Sequence, residues 1–409
     1  MLRVPTLLRQ HIFLLTDNEE PEYRKIADLL YEYLATTYDA YARYTERVGT
    51  IVGLVESVRR VNSNARAECA AFEASAPLPL ACLLLRPPHR ALHLHTIAHE
   101  LYAATGSQSA KQALELASRA AGAAHDQLRH VENHAALCQL QRDIVGYDKL
   151  LVPNREFIRL GCVYKHSTRG LQQRMLFLFS DLLVVASRAG GAQFRAHAAL
   201  PLHTLVLKHA DLPHSFLLEG EDVQLLISTS NDHEYVGWTR ALDETIANAH
   251  EYPSEIDTEL TPYEQDVEPV PCGGVAGGGG GGGGGLSHVC WHRATSLTRD
   301  QMHLACRTQL SGYLLRKFKK SPGWQKLWVV FAVFTLFFYK NWQDDAPLAS
   351  LPLLGYGVMA PDAGDGIDKE FVFKLQFKNH VYFFRADSIF TYNRWVEVLQ
   401  TSMVRYDHN

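Results

Sequence analysis

The chain has 409 residues, a length that predicts two to four domains, each able to bury a core of its own. Its apolar and charged fractions, 47% and 21%, are ordinary for a globular protein, and its formal net charge of −4 gives no reason to expect nucleic-acid binding. The longest apolar run, Leu327 to Tyr339, is interrupted by Thr335 and falls short of the ~20 residues that span a bilayer, so we interpret it as two adjoining strands. The seven cysteines occur singly, a pattern typical of a reducing intracellular compartment.

Residues 1–150 have the apolar spacing of helices. One long stretch repeats apolar positions three and four residues apart, at Ile26, Leu29, Leu30 and Leu34. A second stretch, residues 111–146, has the same amphipathic character and ends at Gly146, a residue type that commonly stops helices. We therefore expect a helical N-terminal domain built on long amphipathic helices.

After Pro153 the pattern changes to short segments rich in Val, Leu and Phe, such as RMLFLFSDLLVVAS, which are typical of strands. This region ends in one amphipathic helix, whose start carries Asn231 and Glu234 at the spacing of a capping box. The same strand pattern returns in WQKLWVVF, FTLFFYK and EFVFKLQFK and is again followed by a helix. Residues 151–249 and 309–409 are therefore expected to form two β-rich domains.

Residues 250–308 separate the two β-rich regions and are expected to form a linker. The segment opens with acidic residues and continues into nine consecutive glycines, Gly277–Gly285. Polyglycine cannot bury apolar surface to offset the entropy lost on ordering, so we expect a flexible tether.

The helices that close the two β-rich regions have matching apolar stripes with a tryptophan at the centre. The stripes are Tyr235, Trp238, Leu242 and Ile246 in the first and Tyr392, Trp395, Leu399 and Met403 in the second. The match indicates two copies of one small domain, in which several strands are closed by a tryptophan-bearing helix.

This arrangement resembles the pleckstrin-homology (PH) domain, a bent seven-stranded barrel with a C-terminal helix at one open end. The second copy carries the opening signature: Gly312, Leu314 and Arg316 in one strand, then a basic turn, then Trp324 to Trp328 in the next. The resemblance implies two PH barrels in tandem.

The stretch LLLRPPHRALH resembles the third sequence motif of Dbl-homology (DH) domains, the helical domains that precede PH domains in exchange factors for Rho GTPases. Arg86, Pro87, His89 and Arg90 occupy the motif positions. The segments REFIRLG, GLQQRMLFLFSD, HVCWHRATS, LSGYLLRKFKKSPGWQKLWVVF and PLASLPLLGYG are similar to the FERM, RhoGEF and pleckstrin-domain (FARP) family. This similarity begins at about Ile26.

The family resemblance implies a multidomain α plus β protein: an incomplete all-helical DH bundle, then two PH β-barrels, each capped by a C-terminal helix. The first DH helix, which in the family holds a glutamate facing the GTPase, has no counterpart before Ile26, and no FERM domain precedes it. The chain is therefore interpreted as a C-terminal DH-PH-PH part.

The implied function is guanine nucleotide exchange, the stimulation of GDP release from a Rac- or Cdc42-like GTPase. Such a regulator makes no bonds and needs no cofactor, and the resemblance implies a cytoplasmic location at the inner face of the plasma membrane. The alternative is a non-catalytic membrane or cytoskeletal adaptor that keeps the scaffold without exchange activity. The missing first helix favours this alternative, because its loss would remove one wall of the GTPase site.

The residues expected to contact the GTPase, by resemblance, are Arg86, His89, Arg90, His125 and Asn133. A surface that holds the switch loops of a GTPase needs fixed cations and hydrogen-bond donors on rigid helices. The alternatives are a helix start with prolines in its first turn and solvated arginines, and for His125 and Asn133 an exposed polar helix face.

Both PH-like regions carry part of a phosphoinositide-binding pattern, in which several cations converge on phosphates. The first copy has Lys165, Arg169 and Arg174, with Gln172 at one position where a basic residue is expected. The second has Leu327 where arginine is expected, beside Arg316, Lys317, Lys319, Lys320 and Lys326. At ~1 kcal/mol per basic residue near an anionic leaflet, this second cluster predicts weak membrane contact, and a solvated basic loop is the alternative.

His93, His95 and His99 suggest a metal site at first sight. Only His95 and His99 share a helical face, and no glutamate lies between them to complete a zinc-protease pattern. The sequence therefore predicts surface histidines here, and no metal site.

Overall fold

The computed structural model describes residues 22–76, 78–122, 124–190, 193–261, 285–318 and 323–402. Lys319, Lys320, Met403 and all the consecutive glycines except Gly285 lie outside these residues. The chain forms two compact units, a helical unit of residues 22–61 and 81–135 and a second unit of residues 62–80 and 136–402. The end of the helical unit thus lies near residue 135, and not at 150 as the sequence pattern suggested.

Six helices precede the first long strand in the described part of the chain. They are α1 (Glu22–Val61), α2 (Ser63–Ser75), α3 (Leu80–Leu84), α4 (Arg86–Thr105), α5 (Gln108–Ala121) and α6 (Ala124–Asp143). The single helix expected across residues 111–146 is in fact two, because α5 ends at Gly122 and α6 begins at Ala124. Glycine has a low helix propensity, but the alanines around it hid this break in the sequence.

The helical unit is built around α1. Leu30 and Leu34 of α1 pack with Leu94 and Ala98 of α4 and with alanines of α5. Alanine side chains let helix backbones approach closely, and Ala98, Ala113 and Ala117 are fully buried. Gly106, with φ of 60°, ends α4 in the left-handed conformation that glycine adopts without strain, so the chain can turn back into α5.

The first sheet follows α6. Its strands are β1 (Ile144–Val145), β2 (Phe157–Ser167), β3 (Gly170–Phe179), β4 (Leu182–Arg188), β5 (Phe194–Pro201), β6 (Val206–His209), β7 (Ser215–Glu219), β8 (Gln224–Ser228) and β9 (Ser296–Thr298). The strand order is β1-β5-β4-β3-β2-β8-β7-β6, and β9 pairs with β2 as well. Helix α7 (Asp232–Glu251) follows β8 and buries Trp238 and Leu242 completely.

The stretches Met175–Phe179 of β3 and Leu182–Ala186 of β4 are buried on both faces, which explains their unbroken apolar sequences. One face packs on the cluster around Trp238, through Val163, Leu176 and Val185. The other face, which includes Phe177 and Val184, belongs to a second core cluster. A strand that is buried on one face alternates apolar and polar residues, whereas one buried on both faces does not.

The second sheet has strands β10 (Gln309–Phe318), β11 (Gln325–Ala332), β12 (Thr335–Tyr339), β13 (Ala349–Pro352), β14 (Gly357–Met359), β15 (Val372–Phe377) and β16 (His380–Arg385). The order is β13-β12-β11-β10-β16-β15-β14. The run Leu327 to Tyr339 forms the β11–β12 hairpin, as predicted. Helix α10 (Ile389–Ser402) places Trp395 and Leu399 in the core of this sheet.

The segment that follows the polyglycine differs from the linker expected across 250–308. Residues 285–307 form α8 (Leu286–Arg293), β9 and α9 (Arg299–Arg307), and β9 pairs antiparallel with β2. Cys290 and Leu297 are fully buried in the second core cluster of the first sheet. Of the acidic segment before the polyglycine, Asp257 is also held in place, since Tyr147 donates a hydrogen bond to the Asp257 carbonyl (2.8 Å).

Candidate functional site

The prolines of the RPPHR stretch lie in the first turn of α4, as the sequence predicted. Proline is favoured there because the first amides of a helix have no intrahelical partner. One turn in, His89 is buried, and its Nε2 lies 2.7 Å from Oε1 of Glu132 on α6. Both side chains are more than 90% buried, so this contact fixes α4 to α6 rather than facing solvent.

Arg90 is exposed beside this contact and is held by α1. Burial raises the pKa of Tyr41 on α1, the hydrogen bond to Tyr33 raises it further, and the nearby charge of Arg90 lowers it. The hydroxyls of Tyr33 and Tyr41 are 2.7 Å apart. The exposed guanidinium of Arg90 therefore lies near a hydrogen-bonded tyrosine pair of α1.

The other residues expected to contact the GTPase are Arg86, Asn133 and His125. Arg86 is half-buried and lies one turn before Arg90 on α4. Asn133 is also half-buried and follows Glu132 on α6. The side chain of His125 lies outside the described residues. The structure therefore brings the α4 motif and Asn133 to one helix pair, and the role of each in GTPase binding stays a prediction.

Several basic side chains of the first sheet lie near His197 on β5. Lys165 on β2 and Arg174 on β3 lie on the same face, because Lys165 pairs with Gln172 and Val163 pairs with Arg174. Burial lowers the pKa of His197 on β5, and so do the charges of Arg174, Arg195 and Lys165, in that order. Sequence reasoning missed Arg195 and His197, because their place beside Lys165 depends on strand pairing.

The structure also shows two other positions of the expected phosphoinositide-binding pattern, Gln172 and Arg169. Gln172, at the position where a basic residue was expected, accepts a hydrogen bond from Nη2 of Arg174 (2.6 Å). Arg169 is exposed in the β2–β3 turn. The first sheet thus offers a cationic patch, which we define as Lys165, Arg174 and Arg195, beside His197.

In the described part of the second sheet, Arg316 and Lys326 are kept apart. Arg316 lies 4.6 Å from the ring centre of Phe338, and burial lowers its pKa. Lys326 lies over the ring of Tyr313 at 4.8 Å. Because Arg316 pairs with Gln325 and Lys326 pairs with Leu315, the two side chains extend from opposite faces.

Lys317 approaches the ring of Trp324 at 6.0 Å. Lys319 and Lys320 lie outside the described residues. Of the histidines considered as metal ligands, His95 is half-buried, and His93 and His99 are exposed. No helix within the described ranges combines the length and the apolar character needed to cross a membrane.

Comparison with known proteins matches residues 308–404 to the family model of the PH domain. The chain is 41% identical over 353 residues to human FERM, ARHGEF and pleckstrin domain-containing protein 2, covering 79% of this chain and 33% of the relative. It is 38% identical to FERM, ARHGEF and pleckstrin domain-containing protein 1 of Gallus gallus, covering 80% and 34%. The chain thus spans about a third of the length of these curated relatives.

Among solved structures, the chain is similar to an N-terminally truncated linker-DH/PH fragment of p115-RhoGEF, with 13% identity and a TM-score of 0.34. That similarity covers 59% of this chain and 80% of the fragment. The sequence matches are far higher in identity and cover 79–80% of this chain. By sequence, the chain belongs to the FERM, RhoGEF and pleckstrin-domain family and corresponds to its C-terminal DH-PH region.

Proposed function

We propose that this chain promotes GDP release from a Rho-family GTPase of the Rac or Cdc42 type. The observation that carries the proposal is the α4–α6 platform, in which the buried His89–Glu132 contact joins the two helices and Arg90, the next residue on α4, is exposed. The names of the relatives, which include ARHGEF, support the same activity.

The platform suits a regulator that does no bond chemistry. An exchange factor binds the nucleotide-free GTPase more tightly than the GDP-bound form, so it lowers GDP affinity by the same free energy. Such differential binding needs cations whose positions are set before the partner arrives. Arg90 meets this requirement because its neighbours belong to two packed helices, and Arg86 and Asn133 extend the same surface.

We also propose that the first sheet, with α7, is a PH domain like the second, so that the chain has DH, PH and PH parts. The equivalent burial of Trp238 and Trp395 supports this view. Peripheral contact with the anionic inner leaflet of the plasma membrane follows from the cationic patch of the first sheet, with Lys317, Lys319, Lys320 and Lys326 as further candidates.

The test is fluorescent-GDP release from Rac-, Cdc42- and Rho-type GTPases with increasing concentrations of the whole chain. We expect faster release, and we expect Arg90→Ala or Arg86→Ala to reduce the acceleration about tenfold, because a hydrogen bond to a charged group contributes roughly 1.5–3 kcal/mol. Arg240→Ala, an exposed arginine on α7, is the matched control and should leave the rate unchanged.

A second pair of variants tests how Arg90 is held. Tyr41→Phe removes the hydroxyl near Arg90, whereas Tyr44→Phe removes one that bonds to the Leu84 carbonyl at 2.9 Å. Tyr41→Phe should slow nucleotide exchange without changing the melting temperature, whereas Tyr44→Phe should not slow exchange. If the whole chain leaves GDP release at its intrinsic rate for every GTPase, the adaptor alternative is favoured for this chain.

A further inference from the structure

Helix α8 carries two histidines one turn apart, His288 and His292. Their Nε2 atoms are 3.2 Å apart, and their ring centres are 4.4 Å apart. Because the nitrogens are closer than the ring centres, the Nε2 ends of the two rings face each other beside the helix.

The separation matches the bite of a metal ion. Zinc–imidazole bonds are about 2.0–2.1 Å long, so two nitrogens on a tetrahedral ion lie about 3.3–3.4 Å apart, and about 2.9 Å apart at a right angle. The observed 3.2 Å corresponds to an N–metal–N angle of about 100°. Two histidines at positions i and i+4 on a helix are also the pair that zinc enzymes use.

The two donors are held in advance by the rest of α8. Cys290, between them in sequence, is fully buried in the core of the first sheet. Ser287, next to His288, donates a hydrogen bond to Asp143 at 2.9 Å.

We propose that His288 and His292 bind one divalent transition-metal ion, with Zn²⁺ favoured by the bite, and that water completes the coordination. Each Nε2 gives its lone pair to the metal, and each ring keeps its proton on Nδ1. Imidazole is a preferred ligand of zinc, nickel and copper. The sequence analysis missed this site because it considered only the histidines of α4.

The same nitrogen separation also fits a single N–H···N hydrogen bond between two neutral rings, and Arg188 lies near enough to lower both histidine pKa values. Metal binding and a hydrogen bond between the rings lead to different experimental results. The metal site needs both rings and a free ion, whereas the hydrogen bond gives the chain no affinity for zinc.

The test is a Zn²⁺ titration of the untagged whole chain in competition with a chromophoric chelator. We expect one zinc-binding event that His288→Ala or His292→Ala weakens tenfold or more. His95→Ala/His99→Ala and His130→Ala/His134→Ala remove other histidine pairs with the same spacing, and these controls should bind as the wild type does. The controls are needed because the chain has 20 histidines.

A second readout is thermal unfolding with and without Zn²⁺, since a ligand that binds only the folded state raises the melting temperature. Zinc should raise the melting temperature of the wild type and of both controls, but not that of His288→Ala or His292→Ala. Alanine has a high helix propensity, so the variants should fold, and circular dichroism verifies this. Equal zinc affinity of the wild type and the two α8 variants, or none in the wild type, overturns the proposal.

Discussion

Arg159 and Glu234 hold β2, α7 and β9 together from the inside. Arg159 lies over the ring of Trp238 at 5.1 Å and donates to Glu234 at 3.3 Å, and Glu234 also accepts from the Ser296 amide at 3.1 Å. A buried charge is costly unless it is paired and hydrogen-bonded, and here both charges are. The capping box predicted at Asn231 is therefore only half formed: Asn231 accepts from the Glu234 amide, but the Glu234 side chain turns away to Arg159.

The cationic patch of the first sheet predicts binding to anionic lipid. Lys165→Ala/Arg174→Ala should weaken partitioning into vesicles that contain phosphatidylserine by about 30-fold, because each basic residue near such a surface contributes ~1 kcal/mol. Vesicle sedimentation at low and high salt measures this partitioning. Salt screens the charges, so high salt should weaken the binding of the wild type.

Lys340→Ala/Arg240→Ala is the charge-matched control, because it removes one lysine and one arginine that are exposed elsewhere in the chain. Equal loss in both double variants would mean that only net charge matters. In that case the patch has no special role.

At the scale of elements, β9 is the least expected strand, because it joins the first sheet from beyond the polyglycine. It is accommodated by Gly161 on β2: a Cβ at this position would lie 2.3 Å from the Ser296 Cβ and 2.7 Å from the Ser296 Cα. Such distances are impossible without movement of the β9 backbone.

Gly161→Ala should therefore release β9 and expose the amides of residues 285–307. Hydrogen exchange followed by mass spectrometry measures this, and we expect faster exchange there together with lower stability. Gly312→Ala is the matched control in the first strand of the other sheet, because its Cβ would meet Trp395 at an ordinary 3.7 Å. Protection of residues 285–307 that is the same in both variants would show that β9 tolerates the extra methyl group.

The sequence predicted those elements whose signal is local. The prolines of α4, the β11–β12 hairpin and the closing helices follow from neighbouring residues. It could not predict β9, because three residues, Ser296–Thr298, are too few to show strand alternation and the partner β2 lies more than a hundred residues earlier. In the candidate site, the α4 motif was visible, but the burial of His89 depends on Glu132, which is 43 residues away.

At the scale of the second unit, the polyglycine does not set the distance between the sheets. The described chain before it is fixed where Thr261 donates to the Gly146 carbonyl (2.9 Å), and the chain after it where Ser287 donates to Asp143 (2.9 Å). Both anchors lie at the end of α6, so residues 262–284 leave and return at nearly the same place. Part of the linker expected at 250–308, residues 262–284, lies outside the described residues, and we expect its length to matter little to stability, because doubling a loop costs only ~0.6 kcal/mol.

Residues from each of the two sheets contact the other sheet and so join them. Arg293 of α8 donates to the Pro352 carbonyl at 2.8 Å and lies between the rings of Tyr356 and Phe377, at 5.0 and 4.8 Å. The tip of the β11–β12 hairpin adds Phe334, which is 1% exposed and packs in the core cluster of the first sheet. Val333 and Phe334 have φ of 47° and 54°, values that L-residues disfavour, so burial of the ring offsets local strain.

Phe334→Ala should therefore uncouple the two sheets. Removing a buried phenylalanine costs about 3–5 kcal/mol, and here the loss falls on the junction, so denaturant unfolding followed by calorimetry and fluorescence should separate into two transitions. Phe390→Ala on α10 is the matched control, because Phe390 is 72% exposed and should change stability by no more than about 0.5 kcal/mol. If Phe334→Ala unfolds in one transition, at the midpoint of Phe390→Ala, then the hairpin tip does not join the sheets. Two transitions would instead show that the buried ring keeps them in one cooperative unit despite its strained backbone.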